Sequence, residues 1–157
     1  MRRKEKELLD QESIKAIIRE CSVCRLGLSV NDNPYIVPVS FGFDGLSIYF
    51  HTAIEGKKIE YIQANNKVCF EFEHKLQLAP DQKDPCKWTF SFQTVIGYGK
   101  IHELMEKDQK INGLSHIMAQ YSKRKWVFNE EILKMIRLWK ISIENMTAKQ
   151  SIETQPS

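Results

Sequence analysis

Tyr35-Ile-Val-Pro-Val-Ser-Phe-Gly-Phe43, then Asp44-Gly45, then Leu46-Ser-Ile-Tyr-Phe-His51 read as strand, tight turn and strand. β-Branched and aromatic residues fill both runs, and Asp-Gly between two such runs is a strong short-range hairpin signal. Pro38 cannot donate to a ladder. Its run is therefore expected at an edge, at a bulge, or facing something other than a neighbouring strand. A strand pair joined this tightly is antiparallel, whereas a doubly wound parallel fold needs a helix between nearly every pair of strands.

Working outward from this hairpin, the same patterns continue. Asp10 is a good helix N-cap, and Ile14, Ile17, Ile18 and Cys21 follow at i, i+3, i+4 and i+7, so a short amphipathic helix precedes the strands. Residues 25–30 read as a strand, closed by the turn Asn31-Asp32-Asn33-Pro34. Residues 52–64 change period and read as a helix that carries Ile59 and Ile62 inward. Thr52-x-x-Glu55 fits a capping box at its start, although Gly56 marks an equally good later start. Residues 67–73 alternate as a strand, and residues 75–87, with Pro80 and Pro85, read as a loop. Residues 88–102 form one extended strand, bent at Gly97 and Gly99. A helix is expected over 106–121, with Ile111, Leu114, Met118 and Tyr121 on its inner face. A connector that turns helical after Asn129 leads to a last strand over 135–145. Six strands with helices inserted at intervals make an α+β, mainly β fold, an antiparallel sheet or small barrel. One domain is expected over 10–149, behind a flexible segment 1–9 and ahead of a frayed tail 150–157.

Composition agrees with a single soluble domain. The 157 residues are 42% hydrophobic and 27% charged, and a chain of 18.4 kDa buries enough surface to fold without a disulfide or metal staple. Lys plus Arg (23) against Asp plus Glu (20) leaves a net charge of +3, too mild for a nucleic-acid partner. Mean hydropathy is −0.41, and no apolar run approaches the ~18 residues of a membrane span. Met1-Arg-Arg-Lys-Glu-Lys-Glu7 has no apolar stretch behind it and does not read as a secretion signal, so the expected setting is the cytoplasm. Cys21-Ser-Val-Cys24 has C-x-x-C spacing, but no second pair completes a zinc site, and the pair falls at a helix-to-strand junction. Small hydrophobic residues at that junction are the simpler reading. No pair of histidines has metal-ligand spacing, so no protein-built metal site is expected.

Glu55-Gly56-Lys57-Lys58 is the most informative local feature. Two lysines early in a helix sit against a terminus that already carries about half a positive charge. A bound anion explains them: free N–H groups, a permissive glycine and two ammonium groups make a competent phosphate site. A solvated face with Glu55 or Glu60 compensating is the alternative. His51 ends a strand just before this helix, where an imidazole can donate to a ligand or exchange a proton. Trp88, Phe90 and Phe92 alternate along one strand, for which core packing is the expectation and stacking on a planar ligand the sharper alternative. There is no G-x-G-x-x-G, P-loop or G-x-S-x-G.

Tyr35-Ile-Val-Pro-Val-Ser-Phe-Gly-Phe-Asp44 followed by Ile48-Tyr-Phe-His-Thr-Ala-Ile-Glu-Gly-Lys-Lys-Ile59 resembles the flavin-binding split barrels related to pyridoxamine 5′-phosphate oxidase, above all the nitroimidazole-resistance (Nim) reductases. Val23-Cys-Arg-Leu-Gly-Leu28, Asn65-Asn-Lys-Val-Cys-Phe70, Cys86-x-Trp88, Thr94-Val-Ile-Gly-Tyr-Gly99 and Met146-Thr-Ala-Lys149 agree in order and spacing.

The resemblance implies a six-stranded antiparallel split barrel with peripheral helices. It also implies a homodimer with two FMN sites at the subunit interface. Val37, Pro38, Val39 and Ser40 would lie along the flavin, with Lys57 and Lys58 on its phosphate and Thr52 beside it. Thr94 would reach the flavin from the partner's long strand, and Trp88 would line the same cavity. His51 matches a histidine near the flavin ring and is the candidate catalytic residue. The implied activity is FMN-dependent reduction of small electron-poor molecules such as nitro compounds or quinones. The chain lacks the Arg- and His-bearing ending of true pyridoxamine phosphate oxidases, so vitamin B6 oxidation is not expected. Gln93 replaces the arginine usual before the Thr94 position, which weakens one anion contact. A non-catalytic flavin- or haem-binding module and a deazaflavin-dependent reductase are the alternatives.

Overall fold

A computed structural model describes residues 7, 8 and 10–151. Its elements run β1 (Glu7–Leu8), α1 (Gln11–Glu20), β2 (Cys24–Val30), β3 (Asn33–Val39), β4 (Gly42–Phe43), β5 (Ser47–Thr52), α2 (Lys57–Ala64), β6 (Lys67–Ala79), a 3₁₀ turn (Pro85–Lys87), β7 (Thr89–Leu104), α3 (Lys107–Tyr121), α4 (Glu130–Met135) and β8 (Arg137–Ser151). The six expected strands are the six long ones, and β1 and β4 add two residues each.

Every pairing is antiparallel, in the order β3-β2-β6-β7-β8-β5-β4, with β1 set against β8. The two ends of that path, β3 and β4, are separated in the chain only by Ser40 and Phe41. The sheet must therefore curl until its edges lie side by side, which makes an open barrel split along one seam. β3 pairs with β2 alone, so Pro34 and Pro38 stand on an edge, where a missing N–H costs nothing. The bend expected at the glycines of the long strand is a register shift against β8 between Tyr98 and Gly99.

Asp10 caps α1 by accepting from the backbone N–H groups of Glu12 and Ser13, and Ile14, Ile17 and Ile18 face the barrel, as their spacing requires. They join Leu26, Phe41, Phe50, Phe70, Phe72 and Ile141 in the main core. A second, smaller core lies under α3, where Tyr49, Leu114, Ile117, Leu133 and Leu138 meet. Gly42 lets α3 approach β4: a Cβ there would stand 2.3 Å from the backbone of His116 and Ile117.

Several expectations need correction. The run 35–43 is two strands, because Ser40 and Phe41 leave the ladder at the barrel seam. The helix expected from Thr52 begins only at Lys57, and no capping box forms. Thr52 instead completes β5 opposite Arg137, and Gly56, at φ 132°, holds the N-cap position. The loop expected over 75–87 starts later: after an irregularity at residues 74–77, where Lys75 has φ 53°, β6 runs on to Ala79, and residues 80–87 are the loop with its 3₁₀ turn. The inner face of α3 is turned toward Gly113, Leu114 and Ile117, leaving Tyr121 exposed. Trp88 and Phe90 are not core residues, being 52% and 47% exposed. Of the segment 1–9, Glu7 and Leu8 pair with Lys149 and Ala148, and Gln150 and Ser151 belong to β8; the remaining masked residues of both ends lie outside the described residues. No helix among the described residues is long and apolar enough to cross a membrane.

Candidate functional site

The sequence feature that most needed explaining is the pair of lysines opening α2, and the structure sharpens it. Gly56 offers no side chain to cap the helix, and its own carbonyl takes the N–H groups of Ile59 and Glu60. The N–H groups of Lys57 and Lys58 are left facing outward, as the first donors of any helix are. In front of them is a pocket of about 290 Å³ lined by Tyr35, Thr52, Ala53, Glu55, Gly56, Lys57, Lys58 and Ile59. Among the described residues neither lysine makes an ion pair, so Glu55 and Glu60 do not compensate them. A Cβ at Gly56 would meet nothing within 4 Å, so the backbone there is open to a ligand.

Two tyrosines hold Lys57 in place. Its Nζ lies 4.8 Å from the Tyr35 ring centroid and 5.5 Å from that of Tyr61, and the two rings are 5.2 Å apart. The ring faces attract the ammonium group without neutralising it. Lys58 is half-buried, and that burial depresses its pKa. An ammonium losing hydration at a positively polarised helix end is an arrangement completed by an anion. The donors, charge and space all fit a phosphate group.

His51 lies one strand residue before Thr52, on the exposed side of β5 opposite Leu138. Partial desolvation lowers its pKa, and the nearby Lys58 charge lowers it further. It is therefore mainly a neutral imidazole at pH 7, able to donate from one nitrogen and accept at the other. Thr52 is buried beneath the pocket. Its hydroxyl donates to the Ala53 carbonyl at 2.7 Å and accepts from the buried Trp139 indole at 3.0 Å, which fixes where the chain leaves the sheet toward Lys57.

Tyr35 belongs to β3 as well as to the pocket, so the start of that edge strand adjoins the lysines, and Val37, Pro38, Val39 and Ser40 follow along the chain from there. Tyr121 anchors the far end of that strand: its phenol oxygen accepts from the Phe41 N–H and donates to the Ser22 carbonyl, both at 2.9 Å.

Thr94 and Trp88 lie elsewhere. β8 pairs Arg137 with Thr52 and Lys149 with Thr94, and about twelve residues of strand between those partners span roughly 40 Å. Trp88 stands beyond Thr94, just ahead of β7, with its indole donating to the Asp81 carbonyl at 2.7 Å. Within one chain Thr52, Lys57 and Lys58 line one pocket with Tyr35, and His51 feels the Lys58 charge beside it. Val37, Pro38 and Val39 continue the strand that carries Tyr35, with Val39 buried in the main core and Ser40 just beyond, and Trp88 and Thr94 lie apart.

Sequence reasoning missed Tyr35 and Tyr61 as supports of Lys57. Tyr61 had a signal, since it follows Lys57 at the i+4 spacing that brings side chains together on a helix; Tyr35 had none without the fold. Cys21 and Cys24 are both buried, and burial pushes the Cys21 thiol up to about 11 and the Cys24 thiol well above its usual range. Neither is a ready nucleophile at pH 7.

A family model described as pyridoxamine 5′-phosphate oxidase matches residues 10–150. A solved structure from Bacteroides thetaiotaomicron, described as a 5-nitroimidazole antibiotic resistance protein, is 28% identical. It aligns over 91% of this chain and 85% of its own with a TM-score of 0.81. The FAD- and haem-binding protein of Mycobacterium smegmatis shares the fold at 14% identity, over 97% of this chain and 76% of its own, with a TM-score of 0.84. A flavocytochrome of Azotobacter vinelandii does so at 18% identity, over 97% and 71%, with a TM-score of 0.80. No curated protein matches the chain in sequence.

Proposed function

The chain belongs to the pyridoxamine 5′-phosphate oxidase family, matched over residues 10–150, and on that premise we propose that it is an FMN-binding oxidoreductase reducing small electron-poor molecules such as nitro compounds or quinones. The observation that carries the reading is the pocket at the start of α2, where two lysines that make no ion pair among the described residues stand at a helix end with no side-chain cap. The solved relative described as a nitroimidazole resistance protein supports the substrate class, and the flavin-binding neighbours support a flavin cofactor.

When bound, the flavin would supply the redox chemistry. Lys57 and Lys58 hold its phosphate. Val37, Pro38, Val39 and Ser40 offer an edge strand against which the ring system lies, with Thr52 at the junction. His51, neutral at pH 7, would hydrogen-bond the substrate or the flavin edge, and would deliver a proton only after taking one up from water as imidazolium.

In this reading two copies of the chain complete each site. Thr94 and Trp88 of one protomer reach the pocket of the other, which accounts for their distance from Lys57 within a single chain. The outer face of β7 supports the same pairing, because Phe90, Ile96 and Tyr98 are exposed along it together with Leu76 and Leu78 of β6. A contiguous apolar face of this kind marks an association surface.

The test is the double variant Lys57→Ala/Lys58→Ala. Its FMN occupancy is expected to fall sharply, with a circular dichroism spectrum like that of the parent protein. Undiminished FMN binding would refute the assignment. Turnover with reduced nicotinamide separates an enzyme from a protein that only holds flavin.

A further inference from the structure

The largest of the described cavities is not the one at α2. The connector after α3 turns back beside that helix and forms an open pocket of about 620 Å³ between Met118 and the run Lys123, Arg124, Lys125, Trp126 and Phe128. This is the size range of a small-ligand site. No acidic side chain lines it, and among the described residues none of its three cations is in an ion pair. The next acidic residue in the chain, Glu130, is committed to Lys107 at 2.6 Å.

Cations after a helix C-terminus ordinarily offset the helix dipole, and one suffices for that. Three in succession exceed that need, and Arg124 is directed elsewhere, its guanidinium 4.7 Å from the Trp126 ring centroid. Trp126 remains 44% exposed even so. Trp88 and Trp139 each give their indole N–H to a protein oxygen, whereas that of Trp126 makes no hydrogen bond among the described residues. The pocket therefore offers unneutralised positive charge, an accessible aromatic face, a free donor and an apolar floor.

We propose that this pocket is a second ligand site that takes a mononucleotide, with Lys123, Arg124 and Lys125 on the phosphate and the base lying against Trp126 and Phe128. A phosphate requires the cations, and a planar base uses the ring that a simple anion would leave empty. The volume is that of a single nucleotide, with the three cations and one indole all beside it. The site stands apart from α2 and does not depend on the flavin reading.

Isothermal titration of the full chain with AMP, both saturated with FMN and without added FMN, tests this. AMP is expected to bind under both conditions and more tightly than inorganic phosphate. In the FMN-saturated protein, where the α2 phosphate pocket is filled, Arg124→Ala/Lys125→Ala and Trp126→Ala should each weaken it about tenfold. No AMP binding, or binding to the FMN-saturated protein that neither variant weakens, would overturn the proposal. Equal affinity for AMP and phosphate would overturn the base contact, and much tighter binding of a single-stranded RNA through the same residues would make this a polymer surface instead. Failure of the protein to take up FMN, read in its own titration, would count against the flavin reading and leave this one standing.

Discussion

The phenol oxygen of Tyr121 lies 2.9 Å from the backbone nitrogen of Phe41, joining the last residue of α3 to the link across the barrel seam. The same oxygen donates to Ser22, so one side chain ties together three parts of the chain. Tyr121→Phe leaves the Phe41 N–H without that partner. A lost hydrogen bond of this kind costs about 1–2 kcal/mol, so the thermal midpoint should fall by about 2–8 °C. An unchanged midpoint would show that the link is held without the phenol.

Gly42→Ala should be far more damaging. The new Cβ would stand 2.3 Å from main-chain atoms of α3, which cannot yield as a side-chain tip can. Overpacking at such a contact costs about 3 kcal/mol or more. Chemical denaturation should show that loss; a variant as stable as the parent would mean that α3 can slide on β4.

His51 should titrate below its ordinary value of 6.5, because partial desolvation and then the Lys58 charge disfavour the imidazolium. Below pH 6.5 the unfolded chain therefore takes up a proton that the folded chain resists. The stability contributed by neutral His51 is full above that pH and is lost as pH falls through the window beneath it. A proton NMR titration should place the midpoint below 6.5, and Lys58→Ala should raise it without abolishing the depression. A midpoint that ignores Lys58 would contradict the geometry.

Assembly from two chains makes a prediction that mixing can test. Light scattering should give twice the 18.4 kDa chain mass. A Lys57→Ala/Lys58→Ala chain and a Thr94→Arg chain should each lose flavin alone. Reassembled together, random pairing regenerates one intact site in each mixed dimer and returns about a quarter of the parental flavin content. No recovery would show that the two sets of residues do not share a site across chains.

Much of this fold was legible because local signals and tertiary structure agree. Asp10 caps the helix that its spacing announces, and Pro38 lies on the edge that its missing N–H demands. The errors have a common origin. Thr52 reads as a helix cap from its spacing to Glu55, yet strand pairing with Arg137 and the Trp139 hydrogen bond outweigh that local option. Trp88 and Phe90 read as core because alternation reports an apolar face, and in the fold that face is exposed on this chain. At the site, Lys57 and Lys58 stood out by charge logic alone, while the support from Tyr35 depends on β3 and α2 meeting and has no counterpart in linear spacing.

The central claim is that the pocket before α2 holds a flavin phosphate. The most direct measurement is the visible absorption spectrum of the purified protein, with mass spectrometry of whatever ligand it releases. A flavin spectrum and release of FMN are expected. A haem band, or a colourless protein that takes up no added FMN, would contradict the claim.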